Sequence, residues 1–215
     1  IERKGKTVSD LLYIEASPRK ERSYSIQVAR TFVETYKENH PQEEIDYLDL
    51  WSEDLPTFNG SMLDAKYAVM HGAEPSVREK ESWSLVRNFF NRFDQAKKYV
   101  LSVPMWNFGV PYKLKHYIDV ITQPGMAWSF STESGYTGLC TGKAVVIYSS
   151  AGVYHTGSGA ENFDLQKSTV NNWLNFVGIS AIHEIIVAPT LTTPEESLDI
   201  KTKGELEARE LAAIF

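Results

Sequence analysis

Short apolar runs alternate with stretches of helical spacing along nearly the whole chain. Leu11 to Ala16 is a compact apolar run closed by Ser17-Pro18, and it predicts a buried strand. After a hydroxyl-rich loop, Ile26, Ala29, Val33 and Tyr36 recur at the spacing of one helix face. Glu44 to Leu50 alternates enough for a second strand, and Pro56, Asn59 and Gly60 make Ser52 to Gly60 a loop. Met62 to His71 predicts a helical piece, interrupted by Gly72, Pro75 and Ser76. Trp83, Val86, Phe90 and Phe93 then mark another helix face, an aromatic stripe that reads as core packing.

Val100 to Val103 is the third strand, stopped by Pro104, which fixes φ and has no N–H for a sheet ladder. Met105 to Gly109 becomes an irregular crest at the carboxyl end of that strand. Pro111 opens a helix carrying Leu114, Tyr117, Ile118 and Ile121. Met126 to Ser131 alternates in bulk and runs into Glu133-Ser134-Gly135, the pattern of a β-hairpin excursion whose large residues are Trp128 and Phe130. Ala144 to Tyr148 is a fourth strand, followed by a helix with Leu165, Val170, Trp173, Leu174 and Val177. Ile182 to Val187 is a fifth, and Thr193 caps a charged terminal helix. Five strands alternating with helices predict one α/β domain over 1–215, a doubly wound parallel sheet with a hairpin excursion. In the strand order 2-1-3-4-5, the loops after strands one, three and four converge on one crevice, where ligands bind in such sheets.

Composition narrows the class. At 215 residues with 42% apolar and 23% charged positions, the chain suits a globular domain with a sizeable core. Its apolar runs are too short to span a bilayer as a helix, so no membrane partner is expected. Ile1 to Asp10 is polar and basic, which argues against a secretory signal, and the absence of an initial Met suggests a native start upstream. A single cysteine, Cys140, allows no intrachain disulfide, making the cytoplasm the expected compartment. The net charge of −6 disfavours nucleic acid. Cys140 reads as a small buried residue. His40, His71, His116 and His183 are scattered without metal-ligand spacing, so no metal is expected.

The three loops differ in chemistry. Ser17 to Ser25 places Ser17, Ser23, Tyr24 and Ser25 among Arg19, Lys20 and Arg22 just before a helix. Helix N-termini and hydroxyls together suit a phosphate, although Ser23 or Ser25 could equally be a simple N-cap. The crest flanks Asn107 with Trp106 and Phe108 and ends in Gly109, offering apolar faces and one amide to a flat, polar-edged ring. Ser149 to Gly159 is rich in small residues that permit close backbone approach. Gly138 to Lys143 superficially suggests a phosphate loop, but its first glycine is misplaced and Ala144 stands where Ser or Thr is required.

Pro104-Met105-Trp106-Asn107-Phe108, Thr141-Gly142-Lys143 and Ser149-Ser150-Ala151-Gly152 resemble motifs of the FMN-dependent NADH-azoreductase family. The resemblance covers most of the chain after Leu11, with the Pro-Met-Trp-Asn-Phe loop its most specific part. It implies a flavodoxin-like fold, homodimers, and two-electron reduction of quinones and azo compounds by NADH or NADPH. Carried over by position, it implies that Ser17, Ser23, Tyr24 and Ser25 hold the FMN phosphate. Met105, Trp106, Asn107 and Phe108 would contact the isoalloxazine, and Ser149, Ser150, Ala151 and Gly152 its pyrimidine side. The chain departs from the family in its Pro18-Arg19-Lys20-Glu21-Arg22 cluster, and in Ser150-Ala151-Gly152 where Arg-Gly-Gly is common.

Phe130 and Phe163 could wall the substrate space or be ordinary packing. Tyr154 and His155 could relay a proton to a reduced quinone, or be a packed Tyr and a surface His. Trp51, Phe58 and Trp128 suggest a subunit interface, unless they fold back on their own core. The enzyme reading, an FMN-dependent NAD(P)H oxidoreductase with ping-pong kinetics, stands against a flavodoxin-type electron carrier. A flavin-free interaction domain on the same fold is a third possibility.

Overall fold

The structure is a computed structural model that describes residues 9–70 and 76–215. The polar start up to Val8, the predicted helix end at His71 and the break at Gly72 and Pro75 lie outside the described residues. The parallel sheet is built from β1 (Leu11–Glu15), β2 (Ile45–Asp49), β3 (Lys98–Pro104), β6 (Lys143–Ser149) and β7 (Ala181–Val187). Its order is β2-β1-β3-β6-β7, which is 2-1-3-4-5 counted within the sheet. The hairpin is a separate antiparallel pair, β4 (Trp128–Ser131) and β5 (Gly135–Gly138). Six helices are described: α1 (Tyr24–Asn39), α2 (Gly60–Met70), α3 (Val77–Gln95), α4 (Tyr112–Ile121), α5 (Leu165–Val177) and α6 (Pro194–Ala212).

Side-chain alternation along the strands divides the core into two layers. Leu12, Ile14, Leu101, Val103, Val146 and Tyr148 face a cluster with α3, α4 and α5 residues such as Phe93, Tyr117 and Trp173. Leu11, Tyr13, Val100, Val145 and Ile147 face the opposite cluster, built on Val28, Phe32 and Tyr36 of α1 and Ala208 and Ala212 of α6. Gly204 of α6 lies where a Cβ would stand 3.3 Å from Val187 and 3.4 Å from Val28, which is why this helix can press so closely onto α1 and the sheet.

The glycine-rich run Gly138 to Lys143 serves backbone packing. A Cβ on Gly138 would stand 2.3 Å from the Gly178 nitrogen at the left-handed C-cap of α5. Gly142, at φ +141°, would press a Cβ to 2.4 Å from the Lys97 carbonyl. Gly138 also closes β5, the second strand of the predicted hairpin.

The strand ends lie level in the sheet. Glu15 is registered with Asp49 and Ser102, Pro104 with Ser149, and Ser149 with Val187. Pro104 occupies the last position of β3, and the next donor, Met105 N–H, bonds the Ser149 carbonyl at 2.7 Å. Ala16 N–H bonds Ser102 O at 3.1 Å. These bonds start the loops of β1, β3 and β6 from one edge.

Candidate functional site

The loop after β1 turns through Lys20–Arg22 as a short 3-10 segment and delivers Ser23 to the start of α1. Ser17, Ser23 and Ser25 are all buried. Ser23 occupies the N-cap position but makes no side-chain cap bond, so the first-turn amides of α1 are not covered in that way. Its hydroxyl instead pairs with that of Ser25 at 3.2 Å, while Ser17 Oγ accepts the Arg19 N–H at 3.3 Å. One proton of the Ser23–Ser25 pair and that of Ser17 remain for an acceptor. A buried helix end with spare hydroxyl protons fits a phosphate. Tyr24 opens α1, and its hydroxyl donates to Ser197 Oγ at 3.1 Å and ties α1 to α6.

The basic residues of this loop divide into one paired and two exposed. Lys20 forms ion pairs with Glu15, at 3.3 Å, and with Asp49. Arg19 and Arg22 are exposed.

At the end of β3 the crest closes as a tight turn. Trp106 N–H bonds Gly109 O at 2.9 Å and Gly109 N–H returns to Trp106 O at 3.0 Å. Asn107 and Phe108 between them have φ of +46° and +71°, the double left-handed pair of a type I′ turn. Asn tolerates that region, but a bulky aromatic there is an outlier of the kind concentrated at functional sites. Their backbone N–H groups make no hydrogen bond within the chain among the described residues. Two adjacent free amides beside an exposed ring, with Phe108 46% accessible, fit the polar edge of a flat heterocycle.

Around this turn the structure gathers Phe163, whose ring lies 5.2 Å from Phe108, and Tyr154, at 6.4 Å edge-on. The Tyr154 hydroxyl stands 3.3 Å from where a Gly152 Cβ would be, so this tyrosine covers the loop after β6. His155 is exposed, with Nδ1 at 2.9 Å from the Thr156 carbonyl. In the neutral ring that places the proton on Nδ1 and leaves Nε2 as the acceptor. Ser149 is buried at the strand end, and Ser150 Oγ donates to Gly152 O at 2.8 Å. The carbonyls of Ser150 and Ala151 accept from Thr190 and Leu191 N–H, so the β6 loop is held by the chain after β7.

Phe130 behaves otherwise: its ring packs on Tyr136 within the hairpin, 5.0 Å away, rather than on the crest of its own chain. Trp51 folds back, as the alternative reading allowed. Its indole N–H donates to Ala16 O at 2.9 Å, and its ring packs 5.8 Å from Trp106 and 5.3 Å from Tyr112. Trp106 is thereby turned into an aromatic cluster beside the crevice. Phe58 and Trp128 line an open groove of about 950 Å³ along α4, together with Tyr112, Tyr136 and Phe176.

Gln166 escaped the sequence reading. It is buried, and its amide donates to Val103 O at 2.8 Å and Ser149 O at 3.4 Å, joining the ends of β3 and β6 under the crest. The signal lay in its spacing, since Gln166, Val170, Trp173 and Val177 share one helix stripe and only the first is polar.

Phosphate-fitting donors after β1, free amides after β3 and a close-packed loop after β6 leave the same edge of the sheet from three adjacent strands, with the switch point between β1 and β3. This is the ligand crevice of a doubly wound α/β protein with order 2-1-3-4-5. The comparisons agree: the family model described as flavodoxin-like fold matches residues 9–211, and the chain belongs to that family. A curated relative, the FMN-dependent NADH:quinone oxidoreductase of Desulfotalea psychrophila, is 44% identical, over 95% of this chain and 97% of that protein. Among solved structures, an azoreductase from Bacillus anthracis superposes with a TM-score of 0.88 at 26% identity, over 96% of this chain and all of that one. A second from the same species, an FMN-dependent NADH-azoreductase in complex with FMN, gives a TM-score of 0.86 at 25% identity, over 94% and 97% of the two chains.

Proposed function

We propose that this chain is an FMN-dependent NADH oxidoreductase that reduces quinones and azo compounds, with residues 1–215 acting as one FMN-binding domain. The observation that carries the reading is the left-handed Asn107-Phe108 turn, with its two free amides, at the switch point of the sheet. The names and identities of the relatives support it.

When bound, FMN supplies hydride transfer between NADH and the acceptor. The protein binds and orients. Ser17, Ser23, Ser25 and the first turn of α1 hold the phosphate, while the Tyr24 side chain braces that turn against α6. Met105, Trp106, Asn107 and Phe108 would seat the ring, with the amides of Asn107 and Phe108 placed to donate to its polar edge and to favour negative charge there. Ser149, Ser150, Ala151 and Gly152 meet the pyrimidine side. Phe108 and Phe163 wall a single apolar space that donor and acceptor occupy in turn, which gives ping-pong kinetics. Quinone reduction also needs a proton, which the Tyr154 hydroxyl donates and the exposed His155 restores from solvent.

A homodimer completes the assembly. The apolar groove along α4 and the exposed Phe130 and Tyr136 of the hairpin suit a second copy, and Phe130 then reaches substrate space across the interface. Sedimentation at micromolar concentration should give twice the chain mass. The cytoplasm is the proposed compartment; among the described residues no helix is long and apolar enough to cross a membrane.

The test is an absorption spectrum of protein loaded with FMN and freed of excess, followed by anaerobic NADH and then a quinone. Bleaching and recovery support the reading. Bound flavin that NADH does not bleach would favour an electron carrier, and no bound flavin would overturn the proposal.

A further inference from the structure

Lys20 and Arg30 form a connected set with the carboxylates around the β1 loop, while Arg19 and Arg22 point to solvent outside it. Lys20 reaches both Glu15, at the end of β1, and Asp49, at the end of β2. Arg30 of α1 reaches Glu15 at 3.4 Å and also pairs with Glu21. Gln27 donates its side-chain amide to Glu21 O at 2.8 Å. Two cations thus face three carboxylates, a set whose charges are already satisfied internally and whose sum is negative. Within that set no cation is left over for a phosphate dianion.

Its geometry serves another purpose. Lys20 stands at φ +48°, a left-handed conformation that a long side chain holds only where its surroundings determine it. The two carboxylates at the strand ends supply that constraint. The carbonyl of Lys20 accepts the Ser23 N–H at 2.9 Å, and Arg19 N–H rests on Ser17 Oγ. Lys20 therefore sits between the buried hydroxyls of the phosphate site, with its backbone bonded to the N-cap of α1 and its ammonium anchored to two strands.

We infer that Lys20 is a positioning residue, a lash from the 3-10 turn to Glu15 and Asp49 that sets the phosphate loop for FMN without touching the phosphate. The inference rests on the FMN reading above.

The two possible roles of Lys20 differ in sign. If its ammonium bound the phosphate, Asp49 would compete for it, and removing that carboxylate would tighten FMN binding. If Lys20 is a lash, cutting either end loosens the loop. Flavin-free full-length protein is titrated with FMN and separately with riboflavin, which lacks the phosphate, following flavin fluorescence. Lys20→Met and Asp49→Asn should each weaken FMN binding about five- to tenfold while leaving riboflavin binding unchanged, a loss typical of a site left unordered before binding. Lys20→Arg should restore most of the FMN affinity, and Glu15→Gln repeats the cut at the other anchor. Tighter FMN binding by Asp49→Asn, an equal loss for both flavins, or no change in the FMN-to-riboflavin ratio would each overturn the inference. Failure of the unaltered protein to bind either flavin would instead remove the FMN reading itself.

Discussion

Gln166 and Val103 are joined by a buried hydrogen bond of 2.8 Å that ties the first turn of α5 to the carboxyl end of β3, one residue before Pro104. The same amide approaches Ser149 O, which also accepts the Met105 N–H. Gln166→Leu preserves volume but removes the donor, and should destabilise the flavin-free protein by about 1–3 kcal/mol. Gln166→Glu should be worse at neutral pH, because it sets a carboxylate against two carbonyl oxygens, and should recover as acid protonates it. Urea unfolding at pH 7 and pH 5 checks both. A leucine variant as stable as the parent would show that the clamp contributes nothing.

The contrast between Gln166 and the sheet explains how far the sequence could be read. β1, β3 and β6 are buried on both faces, so their identity is written into contiguous apolar residues; alternation with helices gave the doubly wound class, and the resemblance gave the strand order. The crest was legible because Pro104 and Gly109 bracket it. What a side chain does with its polar atoms was not legible. Lys20, Tyr24 and Trp51 each find a partner at least five residues away in the chain, at Glu15, Ser197 and Ala16, and only folding brings those partners into reach. The hairpin was legible from its first strand and turn, although Gly135, Thr137 and Gly138 of β5 carry no apolar alternation that would bound the second strand.

Phe108 has a cost that function justifies. At φ +71° its Cβ crowds the backbone, and 46% of the side chain's residue surface is already exposed. Phe108→Gly relieves the backbone and gives up ring contacts with Phe163 and Tyr154. Stability of the flavin-free protein should hold or rise by about 1 kcal/mol, while turnover with NADH and a quinone falls at least tenfold through loss of the wall. Thermal unfolding and steady-state assays separate the two effects. Lower stability with unchanged turnover would contradict the strain and the role together.

Gly138 and Gly178 bring two backbones together where no side chain fits. Gly138→Ala would force a methyl group to 2.3 Å from the Gly178 nitrogen, and no flexible side chain is there to yield. Separating the hairpin from α5 should cost about 2–4 kcal/mol, at the upper end for overpacking. Gly60→Ala, where nothing lies within 4 Å of the new methyl, is the matched control and should be neutral or slightly stabilising. Denaturant midpoints of the two variants give the comparison.

Acid should act on the β1 loop through Asp49. Burial pushes its carboxyl up, but hydrogen bonds from Lys20, Ser52 and Trp51 outweigh burial and hold the pKa below its ordinary 3.8. The carboxylate therefore contributes stability at pH values above 3.8, and that contribution is lost as pH falls through the lower folded value. Glu43 titrates in the same direction at the other end of the sheet, where Tyr36 and Lys98 overcome burial. Asp49→Asn should be less stable than the parent at pH 7, with the gap closing as pH falls below 3.8. Unfolding midpoints measured from pH 7 to pH 2.5 test this, and a gap independent of pH would refute it.

Cys140 tests whether the strand-to-helix packing is as closed as the geometry states. The residue is 2% exposed, and burial, reinforced by Asp94 and opposed by Lys97, pushes its thiol up to about 12. Reactivity requires the thiolate, so at pH 8 the folded protein offers iodoacetamide almost none. Incubation at that pH should leave Cys140 unmodified and activity intact, whereas the same reagent in urea should label it fully. Cys140→Ala should cost about 1 kcal/mol, the loss of one small apolar group. Cys140→Ser should cost more, because it buries a hydroxyl beside Val177 and Tyr99 where the thiol made only weak demands. Mass spectrometry of the labelled protein gives the first result and denaturant unfolding the second. Rapid labelling of the folded chain would mean that the hairpin lifts from α5 on the timescale of the reagent, and that the close approach of Gly138 to Gly178 is not maintained in solution.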